Sequence, residues 1–247
     1  MGALWCRDLP TVTVPRTRTP KAVTIVLPYY DNPVFLAAQI AHWQTFSADV
    51  RAHLSAVIVD DGSPTPARLP ADRPFPMRLF RIEVDVRWNW LAARNIGAHY
   101  AADGWLLLTD MDHRVPHGTA QGLVYGQHDP TGVYAFSRRE HTGDAITPHS
   151  ASFLMTRALF WRIGGYDETL SGHYGTDGEY RRRLAQHAQM RLLTEELVRF
   201  EYVADASTTR YLRKQPEDAG VKALIARRRP GWTPKTLSFP YHEVTAS

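Results

Sequence analysis

Four short apolar runs, each stopped by a polar cluster, constrain this chain more than any other feature. Val23-Thr24-Ile25-Val26-Leu27 ends at Pro28, and Tyr29, Tyr30 and Asp31 follow. Ser55 to Val59 ends at Asp60-Asp61-Gly62-Ser63. Met77 to Val84 is a third candidate strand, and Trp105 to Leu108 closes on Thr109-Asp110-Met111-Asp112. Between them lie two helical segments. Asn32-Pro33 supplies an N-cap and a first-turn proline, with Leu36, Ile40 and Trp43 following at helical spacing. Asn89 to Ala102 is rich in alanine. Strands that alternate with helices form a mostly parallel sheet flanked by helices, an α/β fold. Right-handed crossovers put all strand ends of one kind on one edge, and ligands bind there. The clusters Tyr29–Asp31, Asp60–Ser63 and Asp110–Asp112 are therefore expected on a single edge.

A chain of 247 residues is long enough for one sizeable α/β domain. Residues 1–21, rich in Pro, Thr and Arg, read as an N-terminal extension. Residues 22–205 read as the catalytic domain, and residues 206–247 as a basic C-terminal segment. That last segment holds eight Lys/Arg and three acids, +5, so the rest of the +4 chain is −1. An acidic partner for it is plausible: nucleic acid, an anionic membrane surface or a phosphate-bearing acceptor. The plain alternative is a solvated helix face with a loose tail. Trp232, Tyr211 and Tyr241 in this segment either stack on a ligand or pack. Cys6 is the only cysteine, which excludes an internal disulfide and a cysteine metal cluster. No signal-peptide core and no membrane-length apolar run is visible, so a cytoplasmic protein is expected, bacterial or in a virus-infected host.

The polar clusters carry the chemistry. Residues i and i+2 of an extended segment point the same way, so Asp110 and Asp112 can approach one hard cation. Mg²⁺ and Mn²⁺ bind by one or two carboxylates plus substrate phosphates, and a departing diphosphate needs such charge neutralisation. An isolated Asp-x-Asp is more often a solvated turn. Its place at the end of the fourth strand raises its value. Asp60-Asp61 either ends a strand at an Asp-Gly turn or accepts from a base or ribose donor. Asp177, which opens a helix after a glycine-bearing loop, is either a cap or a general base, with Glu179 as the near alternative.

Together these blocks resemble the GT-A glycosyltransferases, in particular the large inverting family 2. The likeness also takes in Ala92-Ala93-Arg94-Asn95-Ile96-Gly97, Gly164-Gly165-Tyr166-Asp167-Glu168 and Tyr174-Gly175-Thr176-Asp177-Gly178-Glu179, and it spans roughly residues 22–185. The resemblance implies that Pro28, Tyr29, Tyr30, Asp31, Asp60 and Asp61 line a nucleotide pocket. It places Arg94 near the base or the diphosphate, with Asn95 supporting that loop. Asp110, Met111 and Asp112 match the DxD motif, which holds donor and metal, with Asp110 and Asp112 as metal ligands and Mn²⁺ or Mg²⁺ as the cation. Gly165, Tyr166, Asp167 and Thr176 fall beside the acceptor, and Asp177 matches the catalytic base.

Three departures stand out. Thr176 replaces the usual Glu before the base, and bulky Trp88 or Trp90 replaces a glycine. No histidine occurs between Arg199 and Asp205, where many relatives place a metal ligand. That leaves the third ligand open among His113, His149 and His242.

The implied activity is transfer of a sugar, with inversion, from a nucleoside-diphosphate sugar, UDP being the commonest base. The acceptor is expected to be a saccharide or glycolipid; the alternative is a hydroxymethylated base of DNA. A sugar-phosphate nucleotidyltransferase would need a Gly-rich phosphate loop after the first strand, where Pro28-Tyr29-Tyr30-Asp31-Asn32-Pro33 stands instead. A binding module without catalysis would not need Asp110, Asp112 and Asp177.

Overall fold

A computed structural model describes Cys6, residues 8–201 and residues 219–245. The boundary expected at residues 205–206, Tyr211, and the basic residues Arg210, Arg213 and Lys214 lie outside the described residues. In chain order the elements are β1 (Thr11–Val12), β2 (Val23–Tyr29), α1 (Pro33–Gln44), α2 (Ala48–Arg51), β3 (Leu54–Asp60), β4 (Met77–Ile82), α3 (Trp90–Tyr100), β5 (Trp105–Leu108) and β6 (His113–Arg114). Then come α4 (His117–Tyr125), β7 (Val133–Arg139), β8 (Ala145–Ile146), β9 (Phe153–Thr156), α5 (Arg157–Arg162), a 3₁₀ turn (Glu168–Leu170), α6 (Asp177–His187), β10 (Met190–Arg199), α7 (Ala219–Ala226) and β11 (Tyr241–Glu243).

One sheet runs in the order β1-β10-β7-β9-β5-β2-β3-β4-β11. Its centre, β5-β2-β3-β4, is parallel throughout. The chain moves outward through β2, β3 and β4, then returns to β5 on the other side of β2. That reversal opens a crevice at the C-terminal ends of β2 and β5. Beyond β5 the sheet is mixed: β9 enters antiparallel between β5 and β7, and β10 runs parallel to β7. The ends of β7 and β10 therefore reach the same edge as the end of β5.

Alternation along the strands explains the two layers. Val23, Ile25 and Leu27 face one core with Phe35, Leu36, Ile40 and Trp43 of α1 and Leu123 of α4. Val26, Leu106 and Leu108 face the other, with Leu91 and Ala98 of α3, Phe160 of α5 and Leu184 of α6. Strands buried on both faces read as the unbroken apolar runs seen in the sequence. α3 lies so close to β2 that a Cβ on Gly97 would sit 2.3 Å from Val26 Cγ1. α1 starts as its sequence dictates, with Asn32 Oδ1 accepting from Phe35 N at 3.0 Å and Pro33 in the first turn.

The second half departs more from local pattern. Met190–Arg199 forms a ten-residue strand despite two glutamates and three leucines, because β7 and β1 pair with it on both sides. At the far edge β11 pairs antiparallel with β4, which brings residues 235–243 back across the sheet. Trp232 packs under Arg228, whose guanidinium lies 3.4 Å from the ring centroid, and Tyr241 packs against Tyr100 and Phe80. No helix among the described residues is long and apolar enough to cross a membrane.

Candidate active site

The ends of β2, β3 and β5 bring the three sequence clusters to one edge. At β3 the adjacent carboxylates Asp60 and Asp61 do different work. Asp60 is 1% exposed; it accepts from Ser63 N at 2.8 Å, Ala67 N at 2.9 Å and Arg81 Nη1 at 2.7 Å. Its oxygens are spent shaping the loop after β3. Asp61 is also buried, yet its Oδ1 has no partner. Beside it, Asn89 favours the ionised carboxylate through its side chain and its backbone N–H. Burial, together with Asp60 and Asp85, pushes the Asp61 carboxyl well above the usual carboxylate range. Tyr30 reaches across to Asp85 at 3.1 Å, and Asp31 N donates to Ser63 Oγ at 2.8 Å. Tyr29 is buried and Pro28 stays within β2.

At β5 the DxD turn is held from below. Gln39 of α1 donates to Met111 O at 3.0 Å and to His113 O at 2.7 Å. Arg94 of α3 is fully buried, with the rings of Trp90 and Tyr166 at 4.7 and 5.7 Å from its guanidinium carbon. Trp90 thus packs the arginine. Arg94 donates to Ala151 O at 2.5 Å and Tyr166 Oη at 3.0 Å, and pairs with Asp110 Oδ1. The other oxygen of Asp110 lies 3.3 Å from His149 Nε2. Asp112 lies 2.7 Å from His113 Nδ1 and 3.7 Å from Arg199 Nε. Partial burial would raise the Asp112 carboxyl, but His113, His149 and Arg199 outweigh it and hold it below the usual range. Burial drives the His149 imidazole down to about 4, against the pull of Asp110, so it is neutral at pH 7.

Across the edge, α6 presents Asp177 at its first turn. Burial would raise its carboxyl, but Arg181, with which it pairs, together with Ser150 and His149, holds it below the ordinary range. His149 is thus within electrostatic reach of Asp110, Asp112 and Asp177 alike. Glu179, two residues on, is turned inward. It accepts from Arg183 Nε and Nη2 at 2.8 and 3.0 Å and from Arg228 Nη1 at 2.6 Å. Thr176 is 2% exposed and its Oγ1 has no partner.

The Gly164–Leu170 segment packs behind this. Gly165 has φ +63°, and a Cβ there would lie 2.8 Å from Asn95 Oδ1. Asn95 clasps Tyr166, accepting from its N–H and donating to its carbonyl, each at 2.8 Å, and also donates to Glu168 Oε1. Asp167 takes Arg228 Nη2 at 2.6 Å and Lys235 N at 3.2 Å. Glu168 takes Leu237 N, Ser238 N and Ser238 Oγ at 2.7–2.8 Å.

The described residues hold no preassembled group of three metal-ligating side chains. They do hold a donor set that suits a hard cation: two carboxylates at i and i+2, with an imidazole nitrogen beside one of them. The edge is also balanced in charge. Arg94, Arg138, Arg181 and Arg199 face Asp110, Asp112, Glu140 and Asp177. A diphosphate entering this set brings negative charge that nothing in it offsets, which a divalent cation would supply.

The family model described as glycosyl transferase family 2 matches residues 24–189. The chain belongs to glycosyl transferase family 2. No curated protein matches the sequence significantly. Among solved structures, one neighbour is the mannosyltransferase PcManGT from Pyrobaculum calidifontis, in complex with GDP-Man and Mn²⁺. It has TM-score 0.57 and 16% identity, over 89% of this chain and 72% of that one. Residues 1–349 of TarS from S. aureus, in complex with UDP-GlcNAc, align with TM-score 0.56 and 12% identity, over 76% of this chain and 61% of that one. This chain thus spans about three fifths of that TarS fragment. The shared fold is GT-A. Gln39, Asn89, Arg138 and Arg199 were not singled out from sequence. A buried Gln in an otherwise apolar helix face was the one available signal, at Gln39.

Proposed function

We propose that this glycosyltransferase moves a sugar, with inversion, from a nucleoside-diphosphate sugar to a hydroxyl of a saccharide or glycolipid. Asp177 is the base. The observation that carries the assignment is the contrast within the first turn of α6. The Asp177 side chain keeps 26% of its surface exposed at the edge, while Glu179 keeps 4% and is saturated by two arginines. A base must reach the acceptor proton, and only Asp177 can do so.

The nucleoside lies over the ends of β2 and β3. Asp61 accepts the ring N–H of a uracil-type base through its unpartnered Oδ1, with Asn89 beside it. UDP is therefore the expected carrier. Asp110 and Asp112 hold a divalent cation, Mn²⁺ or Mg²⁺, which when bound offsets the charge of the departing diphosphate. Arg94 fixes Asp110, and His113 fixes Asp112. Asp177 takes the acceptor proton as its oxygen attacks the anomeric carbon from the side opposite the diphosphate. This single displacement by one base gives inversion.

The test is nucleoside diphosphate release from a panel of nucleotide sugars, with Mn²⁺, Mg²⁺ or EDTA, offered saccharide, glycolipid and hydroxymethylated DNA acceptors. Metal-dependent release from a UDP-sugar, stimulated by a saccharide or glycolipid, with an inverted anomer by NMR, is the expected result. Stimulation by DNA alone would transfer the acceptor to nucleic acid. No release from any donor would overturn the reading.

A further inference from the structure

We infer that Trp88 and Tyr174 form an aromatic platform on which a sugar ring of the acceptor stacks. The inference rests on the saccharide or glycolipid acceptor read above. It goes beyond that reading by saying where the acceptor is held and by which chemistry.

Two neighbouring helices place the pair. α3 and α6 lie on one face of the sheet, where Leu91 and Ala98 of α3 share a core with Tyr180 and Leu184 of α6. Both helices start at the edge of the site: Arg94 of α3 pairs with Asp110, and Asp177 opens α6. Trp88 stands two residues before α3, and Tyr174 three residues before Asp177. Their rings meet across the gap between the two helix starts, 5.1 Å between centroids with planes at 56°. Three residues of chain span at most about 11 Å, so a saccharide on the pair lies within reach of the proposed base.

Neither residue is disposed as core packing alone would have it. Tyr174 is 38% exposed, and every other aromatic side chain among the described residues is buried or half-buried. Trp88 has φ +57°, in the left-handed region that a bulky side chain enters only at a cost. That strain sets an indole against the exposed tyrosine. The support of Arg94 is a separate aromatic contact, made by Trp90 and Tyr166 at 5.2 Å. A pyranose offers a face of C–H bonds and a rim of hydroxyls. Trp and Tyr rings cover such a face at low cost in side-chain entropy, and leave the hydroxyls free to meet the base.

The test reads the contact directly. The full chain with UDP and Mg²⁺ is mixed with methyl α- and β-glycosides of glucose, galactose, mannose and N-acetylglucosamine. Saturation-transfer NMR is recorded with irradiation of the aromatic protons. Expected is transfer to the ring C–H protons of at least one glycoside in wild type, kept in Tyr174→Phe and lost in Tyr174→Ala and Trp88→Gly. In the last two, KM for the saccharide or glycolipid that stimulates donor release should rise about tenfold, with UDP affinity within about twofold of wild type. Trp88→Gly also relieves the backbone, so its melting temperature should stay near wild type; a marked fall would make Trp88 a packing residue and overturn its assignment. Transfer that survives in both variants, or UDP affinity lost together with it, would overturn the inference and leave the saccharide acceptor standing. Transfer to no glycoside in wild type would also overturn it, and if no saccharide or glycolipid stimulates donor release either, the acceptor reading fails with it.

Discussion

At the end of β5, Asp110 and Asp112 pair with arginines and histidines of the edge yet stay partly exposed. Across the same edge, on the Gly164–Leu170 segment and α6, Asp167, Glu168 and Glu179 are filled by residues of the C-terminal segment. The exposures of the side chains divide the same way: 37% and 32% for Asp110 and Asp112, against 0% and 4% for Asp167 and Glu179. In the proposed reading Asp110 and Asp112 serve ligands. Across the edge most carboxylates hold residues 228–238 in place, and Asp177, paired with Arg181, stays partly exposed. An acidic motif is thus no guide to chemistry until the partner of each carboxylate is known.

The contrast can be broken by substitution. Asp112→Asn removes charge where the diphosphate departs and should lower kcat/KM about 10³-fold, with the melting temperature near wild type. A melting temperature that falls in step with activity would make Asp112 a structural residue. Glu179→Gln should do the reverse. It strips a buried carboxylate from between Arg183 and Arg228, costs about 3 kcal/mol of stability by chemical denaturation, and leaves the rate per folded molecule close to wild type. Asp61→Asn should raise KM for the donor about tenfold with little change in kcat, since it touches the carrier and not the reacting carbon.

The smallest effect is on pH. As the proposed base Asp177 must be ionised, and its carboxyl is held below the ordinary range, so kcat should fall only as pH drops through that lowered value. Arg181→Met removes the charge that lowers it, so the acid limb should move to higher pH. An unmoved limb would assign the titration to another group.

How legible each side was follows from the range of its interactions. β2, α1 and the DxD turn were readable because a buried strand needs an unbroken apolar run and a helix needs its cap, both local requirements. The difference between Asp60 and Asp61 was not readable. Asp60 is spoken for by Arg81, its cross-strand partner on β4, 21 residues away. Glu179 and Asp177 looked alike for the same reason: Arg183 is one helical turn off, but Arg228 is 49 residues on. The C-terminal segment offered either a surface for an acidic partner or a solvated helix face, and neither reading foresaw that Arg228 points inward to two carboxylates or that β11 pairs with β4. β10 was missed because its residues prefer helix and only its neighbours on both sides make it a strand.

The most direct measurement compares sugar transfer by Asp177→Asn and Glu179→Gln, each scaled to its folded fraction, under saturating donor. Loss of about 10²–10⁴-fold in Asp177→Asn with an unchanged melting temperature, and near wild-type transfer per folded molecule in Glu179→Gln, is the predicted result. Transfer retained by Asp177→Asn, with a folded but inactive Glu179→Gln, would contradict the assignment of the base and the division of the edge built on it.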